Sequence, residues 1–193
     1  STESMVLVEG KAYVAHWSGY QQTIKNNKVL IIDTQTDALG ESILVGIEPN
    51  SMGGDKDDKL WVRCGGGVAL GEIPSLWKII TLYKSIIKIY DFNDIILIPS
   101  NLVINGIGDE LFFLNNNVYK MLIDNEFLPV DPIIDQDGKF FYALGVDPQN
   151  SEIFLSDALD YTKNGLLYRY NETGSLLDSL EVGIIPGAFG FNY

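Results

Sequence analysis

Two predicted strand ends carry side chains that suit the binding of a sugar. Aromatic rings can stack on the apolar face of a sugar ring, while carboxylates and amides bond to its hydroxyls. The alternative is structural, with the rings packing loops and the carboxylates capping turns. We predict a ligand-binding rim with two sets of residues: His16, Trp17 and Tyr20 follow one strand, and Asp157, Asp160 and Tyr161 follow another.

The rarity of histidine and cysteine excludes several kinds of catalytic and metal site. His16 is the single histidine and Cys64 the single cysteine, so an intrachain disulfide, a cysteine zinc cage and a multi-histidine metal site are excluded. A Ser-His-Asp triad would depend on His16, and no nucleophile elbow accompanies it. We therefore predict no catalytic residues and a buried, small apolar role for Cys64.

Calcium is the one metal for which the sequence offers ligands. Asn50, Asn101 and Asp147 fall near predicted first strands and carry the oxygen ligands that Ca²⁺ prefers. No glutamate stands in a matching place. The segment Asp135-Gln136-Asp137-Gly138 resembles the start of a calcium loop, but Val146 occupies the position of the closing glutamate, which favours a turn. We predict no cofactor, with calcium as the alternative.

A repeated pattern predicts the scaffold that positions these residues. A small turn, then Lys or Glu, an apolar residue, an aromatic and another apolar residue occur four times, beginning at Lys11, Lys59, Glu110 and Glu152. The intervals are 48, 51 and 42 residues, close to the roughly 40 to 50 residue period of propeller blades. A β-sandwich would not place an aromatic at the same register in each repeat. We expect these aromatics to pack between neighbouring sheets.

Short β-rich runs between these markers divide each repeat into four strands joined by Gly, Asn and Asp turns. The predicted fold is therefore an all-β propeller of four four-stranded antiparallel blades plus one extra C-terminal strand. The predicted blades are residues 1–46, 47–95, 96–138 and 139–182, and the predicted extra strand, residues 183–193, is the innermost strand of a further blade. In the third blade the fourth strand is expected at Leu128 to Ile133.

The extra strand follows from a second repeat: the segment from Val182 to Phe189 resembles the segment from Val45 to Met52, which leads into a first strand. A lone strand leaves an open edge, which proteins avoid. Three arrangements would provide its partners: a longer propeller of about seven blades, a ring assembled from two chains through open blade edges, or four closed blades with a frayed end.

Charge and hydropathy limit the partners. The chain has 13 basic and 26 acidic residues, a net charge of −13, so nucleic acid would be repelled at long range. No apolar run approaches the roughly 18 residues of a membrane span. The first residues, Ser1 to Ser4, are polar and do not open a signal peptide, so an export signal was either removed or never there.

Several motifs are similar to one bacterial family. The segments Gly46 to Met52, Lys59 to Gly67, Asp157 to Tyr161, Leu167 to Tyr170 and Val182 to Phe189 resemble secreted surface-layer or YncE-like propellers of the YVTN and quinoprotein-like superfamily. The resemblance implies a seven-bladed, exported protein, in the periplasm or at the cell surface, without an assigned activity. Between Val68 and Ser75 relatives carry a longer, Tyr-rich loop than this chain.

Loop lengths indicate where a ligand binds. Strand direction alternates, so the connections between second and third strands share one face with the connections between blades. The long connections cluster there, and long loops on a rigid scaffold often carry binding sites. We predict a non-catalytic binding or scaffolding module that presents an acidic, loop-rich face to a glycan, peptide or cell-envelope protein. The alternatives are a calcium-dependent, lactonase-like hydrolase completed by further blades, and a purely structural envelope protein.

Overall fold

A computed structural model describes residues 2–16, 26–67, 71–93 and 99–192. Within these residues the regular structure consists of strands. None of the described segments forms a helix long and apolar enough to cross a membrane. The strands are β1 (Thr2–Val8), β2 (Lys11–His16), β3 (Lys28–Asp33), β4 (Leu39–Leu44), β5 (Pro49–Gly54), β6 (Lys59–Cys64), β7 (Ser75–Ile80), β8 (Ser85–Asp91), β9 (Ser100–Ile104), β10 (Glu110–Asn115), β11 (Asn117–Leu122), β12 (Phe141–Val146), β13 (Ile153–Asp157), β14 (Asn164–Tyr170) and β15 (Leu176–Ile184).

The strands form four antiparallel sheets in chain order. The first sheet contains β1 to β4, the second β5 to β8, the third β9 to β11 and the fourth β12 to β15. Neighbouring strands in each sheet are also consecutive in sequence, which is the meander expected for a blade. The all-β class and the succession of four antiparallel sheets predicted from the repeat are confirmed.

The third sheet differs from the prediction in its fourth strand. The segment from Leu128 to Ile133 forms no strand, and Ile134 instead makes one isolated bridge to Val118. Pro129 and Pro132 explain the difference, because proline has no N–H to donate to a ladder. The chain therefore makes a single β-bridge to the sheet where the other sheets have a complete outer strand.

The C-terminal residues also differ from the expected extra strand. β15 ends at Ile184, and no strand follows among the described residues 185–192. These residues pack on the fourth sheet instead: the Phe154 ring lies 6.3 Å from the Phe189 ring and 5.5 Å from the Phe191 ring. The Ser156 hydroxyl donates to the Pro186 carbonyl oxygen at 2.6 Å. Side-chain packing thus holds the segment that was expected to pair through its backbone.

The chain forms two compact units, residues 1–102 and 103–193. In the first unit a core lies between the first and second sheets. The two sheets approach closely at Gly54 of β5, where a Cβ would lie 2.9 Å from the Val8 side chain. In the second unit a core joins the third and fourth sheets. The first core includes Tyr13, Val29, Ile31, Met52, Leu60, Val62 and Cys64. The second includes Phe112, Leu114, Leu144, Val146, Ile153 and Leu155.

The repeated aromatics lie where the repeat predicts them in three of the four cases. Tyr13, Trp61 and Phe112 are fully buried. Phe154 is only half-buried, and the C-terminal rings cover part of it. Tyr13 and Phe112 belong to the cores between sheets, so the large rings fill the space where successive sheets diverge.

The turns between first and second strands share one design in three sheets. The backbone N–H groups of Asp55, Asn105 and Asp147 each donate to a carbonyl oxygen at the start of the following strand, at 3.0, 3.1 and 2.9 Å. A side-chain oxygen of each residue accepts backbone N–H groups within the turn. Such side chains replace missing backbone partners in tight turns. The short turns at this end of the sheets are therefore fixed by their own sequence.

Candidate functional site

The connection between β13 and β14, residues 158–163, forms one rim of the second unit together with the segment that enters β12. The Phe140 N–H donates to Asp157 Oδ2 at 3.1 Å, which joins the two segments. The sequence predicted that connections between second and third strands share a face with connections that enter first strands. In this unit the two connections do lie together. Asp157, Asp160 and Tyr161, three of the predicted site residues, lie on this rim.

Asp157 holds the loop in shape. Its side chain is 2% exposed, and Oδ1 accepts the Leu159 N–H at 2.8 Å. The Tyr161 N–H donates to the Ala158 carbonyl oxygen at 2.9 Å. Leu159 and Tyr161 both adopt left-handed backbone conformations, with φ of 49° and 63°. Residues other than glycine adopt this conformation at a cost, which the surrounding hydrogen bonds must offset.

Asp160 presents a permanently charged carboxylate on the same loop. Its Oδ1 accepts hydrogen bonds from the Thr162 N–H at 3.1 Å and the Thr162 hydroxyl at 2.9 Å. The Lys163 ammonium lies 2.9 Å from Oδ2. The hydrogen bond from Lys163 and those from Thr162 hold the pKa of this carboxyl well below its usual range. Asp160 therefore caps its own turn and stays ionised at any physiological pH.

Three aromatic rings cluster beside these carboxylates. The Tyr161 ring packs edge-on against Phe140, with centroids 5.9 Å apart, and against Tyr142, with centroids 5.7 Å apart. The three residues are nevertheless 44%, 49% and 38% exposed. We call Phe140, Tyr142 and Tyr161 the aromatic trio. The contacts of Tyr161 with the other two rings fix the orientation of rings that still present a broad apolar surface to solvent.

The other predicted site residues belong to the first unit. His16 is half-buried at the end of β2, where it pairs with Thr2 and Lys28. Trp17 and Tyr20 lie outside the described residues. Of the two predicted sets of site residues, the structure therefore describes the set of Asp157, Asp160 and Tyr161 in full. A contribution of His16, Trp17 and Tyr20 to binding stays a prediction.

The sequence prediction missed Phe140 and Tyr142. Both occur in the run Phe140-Phe141-Tyr142, which leads into β12, outside the repeated aromatic position. Phe141, between them, packs against the second core. No local signal marks Phe140 and Tyr142, because the loop that brings Tyr161 to them depends on tertiary structure.

Within the described segments, no group of three or more His, Cys, Asp or Glu side chains is placed to hold a metal. Calcium binding by a set that includes Asn50 and Asn101 stays a prediction. Asp147 Oδ1 accepts the Gln149 N–H at 2.8 Å and so serves a turn. Asp137 and Gly138 have φ of 47° and 75°, and the Lys139 N–H closes the turn onto the Gln136 carbonyl oxygen at 2.9 Å. The turn interpretation of this segment is confirmed.

Comparison with known proteins identifies the fold and no family. The sequence matches no protein-family model, and a comparison with curated proteins finds no match either. Solved structures do match. Hydrazine synthase from Kuenenia stuttgartiensis aligns over 90% of this chain and 46% of its own, with a TM-score of 0.66 and 13% identity. A quinoprotein alcohol dehydrogenase-like protein from Bacteroides thetaiotaomicron aligns over 93% and 45%, with a TM-score of 0.67 and 13% identity.

A luciferin-regenerating enzyme aligns over 94% of this chain and 62% of its own, with a TM-score of 0.61 and 11% identity. At these identities the likeness shows the fold alone. With the four meander sheets, it shows that the chain has the β-propeller fold. The chain spans a little under half the length of the first two structures and about three fifths of the third.

Proposed function

We propose that this propeller chain is a non-catalytic binding module whose acidic rim in the second unit recognises a glycan. The observation that supports the proposal is the aromatic trio, since two exposed rings contact the exposed Tyr161 ring, and Tyr161 directly follows the ionised Asp160. Exposed rings of this kind stack on the C–H face of a sugar. The fold offers a rigid scaffold for such a loop site.

The loop is prepared for binding before a ligand arrives. Hydrogen bonds from Asp157 and Asp160 to the loop backbone fix the turn that carries Tyr161. A ligand that stacks on Tyr161 therefore orders few additional side chains, which lowers the entropic cost of binding. Asp160 Oδ2 bonds to Lys163 in the free protein, and a sugar hydroxyl adjoining the trio would share that oxygen.

The net charge of the chain narrows the class of glycan. At −13 the protein repels polyanions over distances comparable to the Debye length. A neutral oligosaccharide, or one with amino sugars, suits an acidic rim better than a sulfated or uronate-rich polymer. We therefore propose neutral or basic oligosaccharides as ligands.

The test is a glycan array followed by calorimetry with the best-binding oligosaccharide. Tyr161→Ala should weaken binding about fivefold to tenfold, which corresponds to the ~1 kcal/mol typical of an aromatic contact. Phe140→Ala should have a similar effect. The matched control is Tyr83→Ala. Tyr83 is a 74% exposed tyrosine that belongs to the first unit, whereas the β13–β14 loop belongs to the second. It should leave affinity unchanged.

The proposal fails if no neutral or basic glycan binds, or if Tyr161→Ala and Tyr83→Ala bind equally well with unchanged melting temperatures. Capture of a peptide or envelope protein that the Tyr161 variant still binds would also count against it. The exported location belongs to the same proposal and rests on the family resemblance. Fractionation of the native cells tests it, because recovery of the protein only in the cytoplasm would contradict it.

A further inference from the structure

One position of the repeat carries a charge that the fold does not require. Two residues after the repeated aromatic, the second strands of the four sheets have Ala15, Arg63, Leu114 and Ser156. All four are buried. Ala15 and Leu114 are apolar, and the Ser156 hydroxyl bonds to Pro186 and to the Ala143 N–H. Only the second sheet places a cation at this position.

Arg63 is buried without matching hydrogen-bond partners. Its side chain is 4% exposed, and Nε and Nη1 have no partner within the described part of the chain. Burial lowers the pKa of the guanidinium to about 10, so the group is still charged at neutral pH. The Glu48 carboxylate acts on it through charge, but it does not bond to either nitrogen. A buried charge with unpaired N–H groups is destabilising unless something satisfies them.

Asn50 adds an unpaired acceptor at the same end of the second sheet. Its Oδ1 is buried and lacks a partner in the described segments. Pairing between β5 and β6 shifts at this residue, from Pro49 with Cys64 to Ser51 with Arg63. Asn50 is therefore the extra residue of a β-bulge opposite Arg63, and bulges often redirect a side chain next to a functional site.

A glycine after β6 leaves room for the side chains of Glu48 and Asn50. A Cβ on Gly65 would lie 3.1 Å from Glu48 Oε2 and 3.6 Å from Asn50 Nδ2, so both side chains lie over this residue. The Gly65 N–H donates to the Glu48 carbonyl oxygen at 2.9 Å. Gly66 has φ of 76°, and a Cβ there would lie 2.3 Å from the Glu72 carbonyl oxygen. The loop is therefore closed tightly over the end of β6.

We propose that Arg63 and Asn50 form a recognition site for a small oxyanion group, a carboxylate or a phosphate. The oxygens of the group accept hydrogen bonds from Arg63 Nε and Nη1. A hydroxyl or amine on the same ligand donates to Asn50 Oδ1. Glu48 disfavours a multiply charged ligand at this place, so a group with a single charge fits better.

Thermal denaturation with small probes tests the site. Sodium acetate and inorganic phosphate are compared with sodium chloride at equal ionic strength. Acetate, phosphate or both should raise the melting temperature of the protein by several degrees at saturation, because a ligand that binds only the folded state stabilises it. Stabilisation by acetate alone identifies a carboxylate site, and stabilisation by phosphate alone identifies a phosphate site.

Two variants separate binding from folding. Arg63→Leu copies the residue of the third sheet and should abolish the response to either probe. Asn50→Asp places a carboxylate opposite the guanidinium, so it should raise the melting temperature without a probe and abolish the response. It keeps the test valid if Arg63→Leu does not fold. The control is Arg169→Gln, which removes an arginine already bonded to Glu152 and should keep the full response.

Equal melting temperatures in acetate, phosphate and chloride would overturn the proposal. So would a response that Arg63→Leu or Asn50→Asp retains in full. The readout needs no glycan, so its failure is distinguishable from failure of the proposed glycan site.

Discussion

Replacement of Asp55 by asparagine should destabilise the second sheet through a single buried ring. The Trp61 indole Nε1–H donates to Asp55 Oδ2 at 2.8 Å, with Trp61 fully buried. Asp55 Oδ1 accepts the N–H groups of Asp57 and Lys59, each at 2.9 Å. Asparagine has one acceptor oxygen in place of two. Its oxygen can accept either the backbone N–H groups of the turn or the indole N–H of Trp61. The amide NH₂ group then faces the other donor, which is left without an acceptor.

The expected cost is about 2 to 3 kcal/mol of unfolding free energy. A hydrogen bond to a charged group contributes roughly 1.5 to 3 kcal/mol, and a buried donor left unpaired adds its own desolvation cost. For a chain of 193 residues this corresponds to a fall in melting temperature of roughly 5 to 10 °C.

The next repeat supplies the compensating change. Asn105 occupies the position of Asp55, and its Oδ1 accepts the N–H groups of Gly108 and Asp109 at 2.9 and 3.0 Å. The ring that follows is Phe112, which has no N–H group to satisfy. Asparagine with phenylalanine is thus a second solution for the same turn. Asp55→Asn should therefore cost much less in a protein that already carries Trp61→Phe.

A double-mutant cycle measures this coupling, which should be about 1 to 2 kcal/mol. Urea unfolding is followed by far-ultraviolet circular dichroism, because Trp61→Phe changes the fluorescence. Asp33→Asn is the matched control. Asp33 Oδ1 accepts the Gln35 and Thr36 N–H groups in an exposed turn, so asparagine can replace it with little change in the urea midpoint. Additive effects of the two core substitutions, within about 0.5 kcal/mol, would refute the reasoning.

Three further outcomes are expected. The Cys64 thiol, whose pKa burial raises to about 12, should not react with a disulfide reagent at pH 8 until denaturant is added; rapid labelling of the folded protein would contradict its burial. Arg169→Gln should lower stability at pH 7 only slightly, because hydrogen bonds from Arg169 lower the pKa of Glu152 but an exposed ion pair contributes little to stability. This contribution is present above the unfolded-state pKa of the Glu152 carboxyl and is lost as pH falls through its folded-state pKa. The stabilities of the variant and the unmodified protein should therefore converge as the pH is lowered. A stability difference that does not change with pH would count against the ion pair. Gly66→Ala should lower the unfolding free energy by over ~2 kcal/mol, because its Cβ would lie 2.3 Å from a backbone carbonyl oxygen. Gly71→Ala should lower it by about 1 kcal/mol, because Gly71 has φ of 72° but open space around the Cβ. Equal melting temperatures of the two variants would show that the clash at Gly66 relaxes.

The fold was predictable because the features that specify it recur. Tyr13 and Phe112 occupy equivalent positions because each fills the wide space between diverging sheets, and Trp61 at the same repeat position is also fully buried. The error at Leu128 to Ile133 has an equally simple cause. The apolar content of that segment was counted, but the missing N–H groups of Pro129 and Pro132 were not.

The candidate site was only partly predictable, because it depends on contacts between distant segments. Asp160 and Tyr161 could be chosen from a loop that follows a strand. Phe140 and Tyr142 join them only because Asp157 bonds to the Phe140 N–H, and no local pattern reveals that bond. The sequence thus indicated the loop but gave no indication of the other two rings of the trio.

The repeat offers a stronger criterion than the one used to choose those residues. A residue that the propeller fold needs should recur at its position in every sheet, so a buried residue that departs from its equivalents was not placed there by the fold. Arg63 among Ala15, Leu114 and Ser156 meets this criterion, and it could have been found by aligning the four second strands. Asp55 is also buried and differs from Asn105, but its carboxylate bonds to Trp61 within the chain. An exception with a partner inside the chain serves stability. An exception with unpaired donors requires a partner from outside the described chain, and this distinction separates Arg63 from Asp55.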